Sequence, residues 1–154
     1  MTSAWGAYVA VAVGGALGSV ARYWMTAILA GPRFPWGTLA INVLGSFVIG
    51  LVAGYSLTPD RVGLHPTLRS FLMTGICGGF TTFSSFMLDT LTLSYGGEAA
   101  TAWTNVAVQM VGGFGAIWAG YHLGVLIRSR GVADDGADGL RWAVRGDDVQ
   151  RTSE

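Results

Sequence analysis

Between positions 75 and 86 the chain reads Gly75-Ile-Cys-Gly-Gly-Phe-Thr-Thr-Phe-Ser-Ser-Phe86, placing three glycines and four hydroxyl side chains inside a long apolar segment. Lipid cannot satisfy the N–H and C=O groups of an irregular backbone, so a helix broken here must face protein, a cavity or an ion. Broken helices expose carbonyl ends that suit a cation and N–H ends that suit an anion. Phe83 and Phe86 lie three residues apart and share a helix face, with Ser84 and Ser85 directed away from it. Aromatic rings carry a positive edge, and two rings presented edge-on can stabilise a poorly hydrated anion. A phenylalanine pair at this spacing is otherwise ordinary packing. The neighbouring Gly-Gly-Phe-Thr-Thr run is what turns the reading toward an ion-permeation site.

Other polar residues fall at helical spacing around this stretch. Gly14, Gly18 and Arg22 share one face of a first helix. The glycines permit close backbone approach. An arginine inside an apolar span costs about 2.5–3.5 kcal/mol on the insertion scale, so Arg22 either snorkels to the interface or faces a protein cavity. The glycine face below it favours the cavity. Asn42, Ser46, Gly50 and Gly54 form a stripe on a second helix. A lone membrane Asn usually bonds across a helix contact, but the stripe as a whole reads as a polar track. Asn105, Gln109, Gly113 and Gly120 lie close to one face of a fourth helix. Asp89, one turn beyond Phe86, either lines a vestibule or pairs with an arginine.

These residues need a membrane-embedded scaffold, and the composition supplies one. Of 154 residues, 51% are hydrophobic and only 12% charged, with 24 glycines and no lysine. A soluble domain carries about 25% charged residues. Four apolar segments run from about Trp5 to Ala30, Thr38 to Leu57, Leu68 to Tyr95 and Ala99 to Ile127. Each reaches the roughly 20 residues that cross a bilayer. The third would give roughly 42 Å as a continuous helix, longer than the hydrocarbon core, and a break near Gly78–Thr82 resolves the mismatch. Pro-rich Gly31–Gly37, Thr58–Pro66 and the Gly96-Gly97 pair separate the segments. Residues 1–130 therefore read as one four-helix membrane domain. Residues 131–154, rich in Asp, Gly and Arg, read as a soluble, mostly disordered tail.

Composition also excludes functions. Net charge is zero, so there is no electrostatic case for nucleic acid. The single cysteine, Cys77, rules out an internal disulfide or a cysteine metal cluster. No Ser-His, His-His or paired-carboxylate arrangement has catalytic spacing, and no enzyme is expected. The N-terminus lacks the basic region of a cleaved leader, so the first segment is expected to be retained. Arg61, Arg69, Arg128 and Arg130 fall on the N-terminal side of the membrane, with Arg22 and Arg33 opposite. That bias is mild, with the N-terminus inside. An alternative function is a proton-coupled small multidrug-type exporter, which is also a short four-helix protein. Such coupling needs a central acidic residue in the first helix, and none is present.

Three motifs carry a family resemblance: Gly14-Gly-Ala-Leu-Gly-Ser-Val-Ala-Arg-Tyr23, Pro35-Trp-Gly-Thr-Leu-Ala-Ile-Asn-Val-Leu-Gly-Ser-Phe47, and the stretch from Gly75 to Phe86. In residue type, spacing and order they resemble the Fluc (CrcB-type) fluoride channels across nearly all of residues 5–128. The resemblance implies an all-α membrane protein with four transmembrane helices per subunit, the third broken in its middle. It implies an antiparallel, dual-topology homodimer with two pores in a prokaryotic plasma membrane. The implied activity is passive, fluoride-selective export that prevents toxicity after hydrogen fluoride leaks in and dissociates. A structural sodium ion at the dimer centre, not transported, would be bound by the backbone carbonyls of Gly78 and Thr81. The implied fluoride pore positions are Asn42, Phe83, Phe86, Arg22, Thr82 and Ser84. Two positions depart from the family pattern: Gln109 stands where Ser is common, and Asp89 where Glu is common.

Overall fold

The computed structural model describes residues 4–31, 33–56 and 64–151, with side chains through residue 130. All regular structure among the described residues is helical. The chain forms α1 (Ala4–Ile28), α2 (Trp36–Ser56), α3 (Pro66–Ser70), a π-helical stretch (Phe71–Cys77), α4 (Gly78–Phe80), α5 (Phe83–Tyr95) and α6 (Ala99–Arg151). Trp36–Ser56, Pro66–Tyr95 and Ala99–Arg130 are long and apolar enough to cross a membrane. At 25 residues, α1 also has the length of a span.

The third segment is interrupted as its length requires. Pro66 opens α3, where a missing N–H costs nothing. The helix then widens into the π-helical stretch and regains one α turn at α4 before breaking. The break falls within the expected Gly78–Thr82 interval, at its threonine end. Gly78 and Gly79 stay helical, and Thr81 and Thr82 carry the extended conformation. Gly79 serves instead for close approach, since a Cβ there would meet the Gly15 carbonyl oxygen at 2.5 Å.

Two backbone-on-backbone seams organise the bundle. In the first, α1 lies against the π-helical stretch and α4. A Cβ on Gly14 would sit 2.6 Å from the Phe71 carbonyl oxygen and 3.0 Å from the Gly75 Cα. In the second, α2 lies against α6. Gly50 and Gly54 meet the Ile117 and Tyr121 carbonyls, and Gly120 and Gly124 meet those of Phe47 and Leu51. In lipid there is little hydrophobic drive between helices, so van der Waals contact at such small-residue seams holds them together. Arg128 Nη1 donates to the Tyr55 carbonyl at 2.6 Å, tying the end of α2 to α6. The Asn42–Gly54 stripe is thus divided. Its glycines pack on α6, while its polar members turn to the break.

The backbone of residues 131–151 continues α6 as helix, where the sequence predicted an irregular tail. Its Ala, Leu and Arg residues and its lack of proline are compatible with that conformation. Most of the predicted Thr58–Pro66 connection, including Arg61, lies outside the described residues, as does Pro32 in the first connection.

Candidate functional site

Thr81 (φ −76°, ψ 157°) and Thr82 (φ −150°, ψ 114°) leave the helical region between α4 and α5. Their polar groups are satisfied from nearby. Thr82 caps α5, its Oγ1 accepting from the Ser85 N–H at 3.1 Å and donating to Ser85 Oγ at 3.1 Å. Ser84 Oγ lies 3.1 Å from the same hydroxyl. Thr81 Oγ1 donates to the Cys77 carbonyl at 2.9 Å. From α2, Asn42 closes on the gap. Its Oδ1 accepts the Thr82 N–H at 2.8 Å, and its Nδ2 donates to the Thr82 carbonyl at 3.1 Å. The same Nδ2 donates to Gln109 Oε1 on α6 at 3.1 Å. One amide therefore replaces the helical partners that Thr82 has lost.

This arrangement frees two carbonyls. In an unbroken α-helix the Thr82 N–H would reach the Gly78 carbonyl and the Ser85 N–H that of Thr81, four residues back. Here the first donates to Asn42 and the second to Thr82 Oγ1. The carbonyls of Gly78 and Thr81 are relieved of their usual donors, and Gly78 is exposed on the subunit surface. Such hard oxygen donors fit an alkali cation in kind. Among the described residues no group of three or more His, Cys, Asp or Glu is placed to hold a metal.

The break opens onto a cavity of about 670 Å³ between α2, the interrupted span and α6. Asn42, Gly78, Thr81, Thr82, Phe83, Phe86 and Gln109 all line it. The two rings stand 5.7 Å apart at 66°, edge to face. Phe86 is 2% exposed and part of the core, whereas Phe83 is 69% exposed. Two of the sequence-predicted positions stand apart. Ser84 reaches the site only through Thr82 Oγ1. Arg22, half-buried on α1, is not among the cavity's lining residues.

Sequence reasoning left Gln109 as a departure in the polar track; it is 4% exposed and bonded to Asn42. The i, i+4 spacing with Asn105 was the available signal. It missed the contacts one level away. Asn105 Nδ2 donates to Thr90 Oγ1 at 2.9 Å, and Thr38 Oγ1 donates to Asp89 Oδ2 at 2.6 Å. Asp89 and Arg33 line a second cavity of about 390 Å³, and the Thr38 hydroxyl is a partner of the Asp89 carboxylate there. Replacing Thr38, which is 4% exposed, with Val leaves the Asp89 carboxylate without that donor. The expected cost is about 1–3 kcal/mol, read as a lower unfolding temperature in detergent. Thr38→Ser should retain the parent's value.

A bundle of this kind, with an apolar span broken in its middle and an amide clamping the break, fits a polytopic helical membrane protein. Family comparison makes the class specific. The model for "CrcB-like protein, Camphor Resistance (CrcB)" matches residues 9–121, which contain all three sequence motifs, and the chain belongs to that family. A relative from Rhodospirillum rubrum named fluoride-specific ion channel FluC is 46% identical over 128 residues, covering 81% of this chain and 98% of the relative. FluC 1 of Nitrobacter hamburgensis is 49% identical over 123 residues, covering 77% and 95%. FluC of Opitutus terrae is 45% identical over 125 residues, covering 79% and 95%. These relatives are named as channels, not enzymes, in accord with the lack of catalytic spacing in the sequence.

Proposed function

We propose that this protein is a passive fluoride-selective channel of a prokaryotic plasma membrane, working as an antiparallel homodimer that lets fluoride leave the cytoplasm. The observation that carries the reading is the break at Thr81–Thr82, opening beside the Phe83–Phe86 pair onto a largely apolar cavity whose polar groups are amides and hydroxyls. Fluoride is small and strongly hydrated, so a selective path must replace its water with donors at short range. Asn42, Thr82 and Ser84 carry donors that would turn from their present intramolecular partners toward the anion, and the ring edges of Phe83 and Phe86 supply further positive potential. Arg22, outside the cavity of one subunit, would act as a fixed positive charge on the approach.

A second copy would complete the site. Gly78 is exposed and its carbonyl lacks the usual helical donor, lipid can offer none, and Phe83, which lines the same cavity, stands 69% exposed. A symmetry-related subunit would cover both. The carbonyls of Gly78 and Thr81 from both subunits would hold a structural sodium ion there. When bound, that ion supplies fixed positive charge near the anion path.

Fluoride efflux from liposomes containing the purified protein, with chloride as the control, tests the proposal. The parent should release fluoride and retain chloride. Phe83→Ile and Phe86→Ile should each cut fluoride efflux by about tenfold or more, with dimer assembly intact. Because Phe86 is buried, Phe86→Ile should also lower the unfolding temperature, by the equivalent of about 1–3 kcal/mol. Phe83→Ile should leave the subunit's stability unchanged. Unaltered flux in both variants would remove the ring edges from the mechanism.

A further inference from the structure

Resting on the sodium site proposed above, we infer that Gly45 is a positioning residue for that site: its bare Cα receives the Thr81 methyl group and thereby sets the orientation of the Thr81 carbonyl. The contact differs in kind from the glycine seams. Every other described glycine whose added Cβ would come closer than 3.0 Å to an atom meets backbone first. A Cβ on Gly45 would instead meet the Thr81 Cγ2 at 2.3 Å, with the Phe80 Cδ1 at 3.3 Å. Gly45 is buried on α2 and lines the cavity at the break. It stands three residues after Asn42 and so faces the same way. From one helix face, Asn42 holds Thr82 through hydrogen bonds and Gly45 holds Thr81 through shape.

Thr81 has little freedom to yield. Its N–H and its Oγ1 both donate to the Cys77 carbonyl, each at 2.9 Å. Oγ1 and Cγ2 branch from one Cβ, so swinging the methyl group aside also takes the hydroxyl off Cys77. Making room while keeping that bond shifts the Thr81 backbone, and the carbonyl shifts with it. That carbonyl is one of the two relieved of a helical donor, because the Ser85 N–H goes to Thr82 Oγ1. Contacts that orient a ligand from behind govern metal affinity almost as strongly as the ligand itself. The contact is made within one subunit, between two side-by-side elements of the same chain.

Four variants of the full-length protein provide the test: Gly45→Ala, Thr81→Ser, the two combined, and Thr38→Val. Sodium bound to the folded protein raises its unfolding temperature in a concentration-dependent way. Measured in detergent against choline chloride, the sodium concentration giving half of that rise should be about tenfold or more higher in Gly45→Ala, and liposome fluoride efflux about tenfold lower. Thr81→Ser keeps the hydroxyl and drops the methyl group, and it should stay near the parent. Added to Gly45→Ala, it should bring the sodium midpoint and the efflux back toward parental values. Thr38→Val, which loses stability through Asp89, should keep the parental sodium midpoint. Where Gly45→Ala alone yields no folded protein, a folded double variant supports the notch and an unfolded one overturns it. A double variant that folds but does no better than Gly45→Ala overturns the inference, since the obstacle is then not the Thr81 methyl group. A parent whose unfolding temperature ignores sodium overturns the sodium reading and this inference together. A parent that responds to sodium, with the same midpoint in Gly45→Ala, overturns the inference alone and leaves Gly45 a packing residue.

Discussion

Asn42→Ala is expected to abolish measurable fluoride efflux and to destabilise the subunit by about 2–6 kcal/mol. The size follows from what the amide does. It satisfies both the N–H and the carbonyl of Thr82, a residue only 6% exposed. Stranding a buried donor or acceptor costs about 1–3 kcal/mol for each group, and alanine strands these two on Thr82, besides removing the donor to Gln109 Oε1. The break then has one way to recover part of that cost. The Thr82 N–H can return to the Gly78 carbonyl and close the helix, which removes the opening that the cavity depends on. Loss of stability and loss of flux should therefore appear together. Asn42→Asp separates the parts of the clamp. A carboxylate still accepts the Thr82 N–H, but it cannot donate to the Thr82 carbonyl or to Gln109 Oε1. It should fail to restore either property. Thermal unfolding in detergent and liposome efflux of both variants provide the check. An Asn42→Ala protein with parental stability would mean that Thr82 is satisfied in some other way, and the clamp would be discarded.

Much of this site was legible before any coordinates. The clustering of glycine and hydroxyl residues between Gly75 and Phe86 announced an interrupted span, because nothing else explains such residues at that depth. The length of the third segment pointed the same way. The three-residue spacing placed Phe83 and Phe86 together, and they stand 5.7 Å apart. What sequence did not provide was the division of labour. The expected interval, Gly78–Thr82, did not say which of its residues would unwind; Gly78 and Gly79 remain helical and the two threonines break. The reason is tertiary: an extended Thr81–Thr82 pair is tolerable only because Asn42, 40 residues away, receives it. The π-helical stretch at Phe71–Cys77 also left no mark in the residue pattern. It lies in backbone contact with α1, and periodicity along one helix carries no information about a neighbour. Gln109 looked like an irregularity in a polar track until its oxygen was found on Asn42.

The glycine motif on α1 permits a sharper expectation, because three glycines close in sequence have different surroundings. A Cβ on Gly18 would fall on the Ile76 carbonyl oxygen, 2.9 Å from the Phe80 N, whereas a Cβ on Gly15 would meet nothing within 4 Å. Gly18→Ala should therefore force α1 away from the turn that immediately precedes Thr81. Overpacking costs about 1–3 kcal/mol where side chains can yield. Here the obstacle is backbone on both sides, so the upper part of that range or more is expected. The displacement is passed directly to the break, since Phe80 is the last residue of α4. Efflux should fall by tenfold or more even in the fraction that remains folded. Gly15→Ala adds the same methyl group to the same helix but into open space. It should keep parental flux and gain up to about 1 kcal/mol from the better helix former. Unfolding temperature and fluoride efflux, measured on the two variants side by side, decide the point. Equal losses would mean that α1 tolerates no added methyl group anywhere. A loss confined to Gly18→Ala would show that the first helix holds the broken span in place through contact with its backbone.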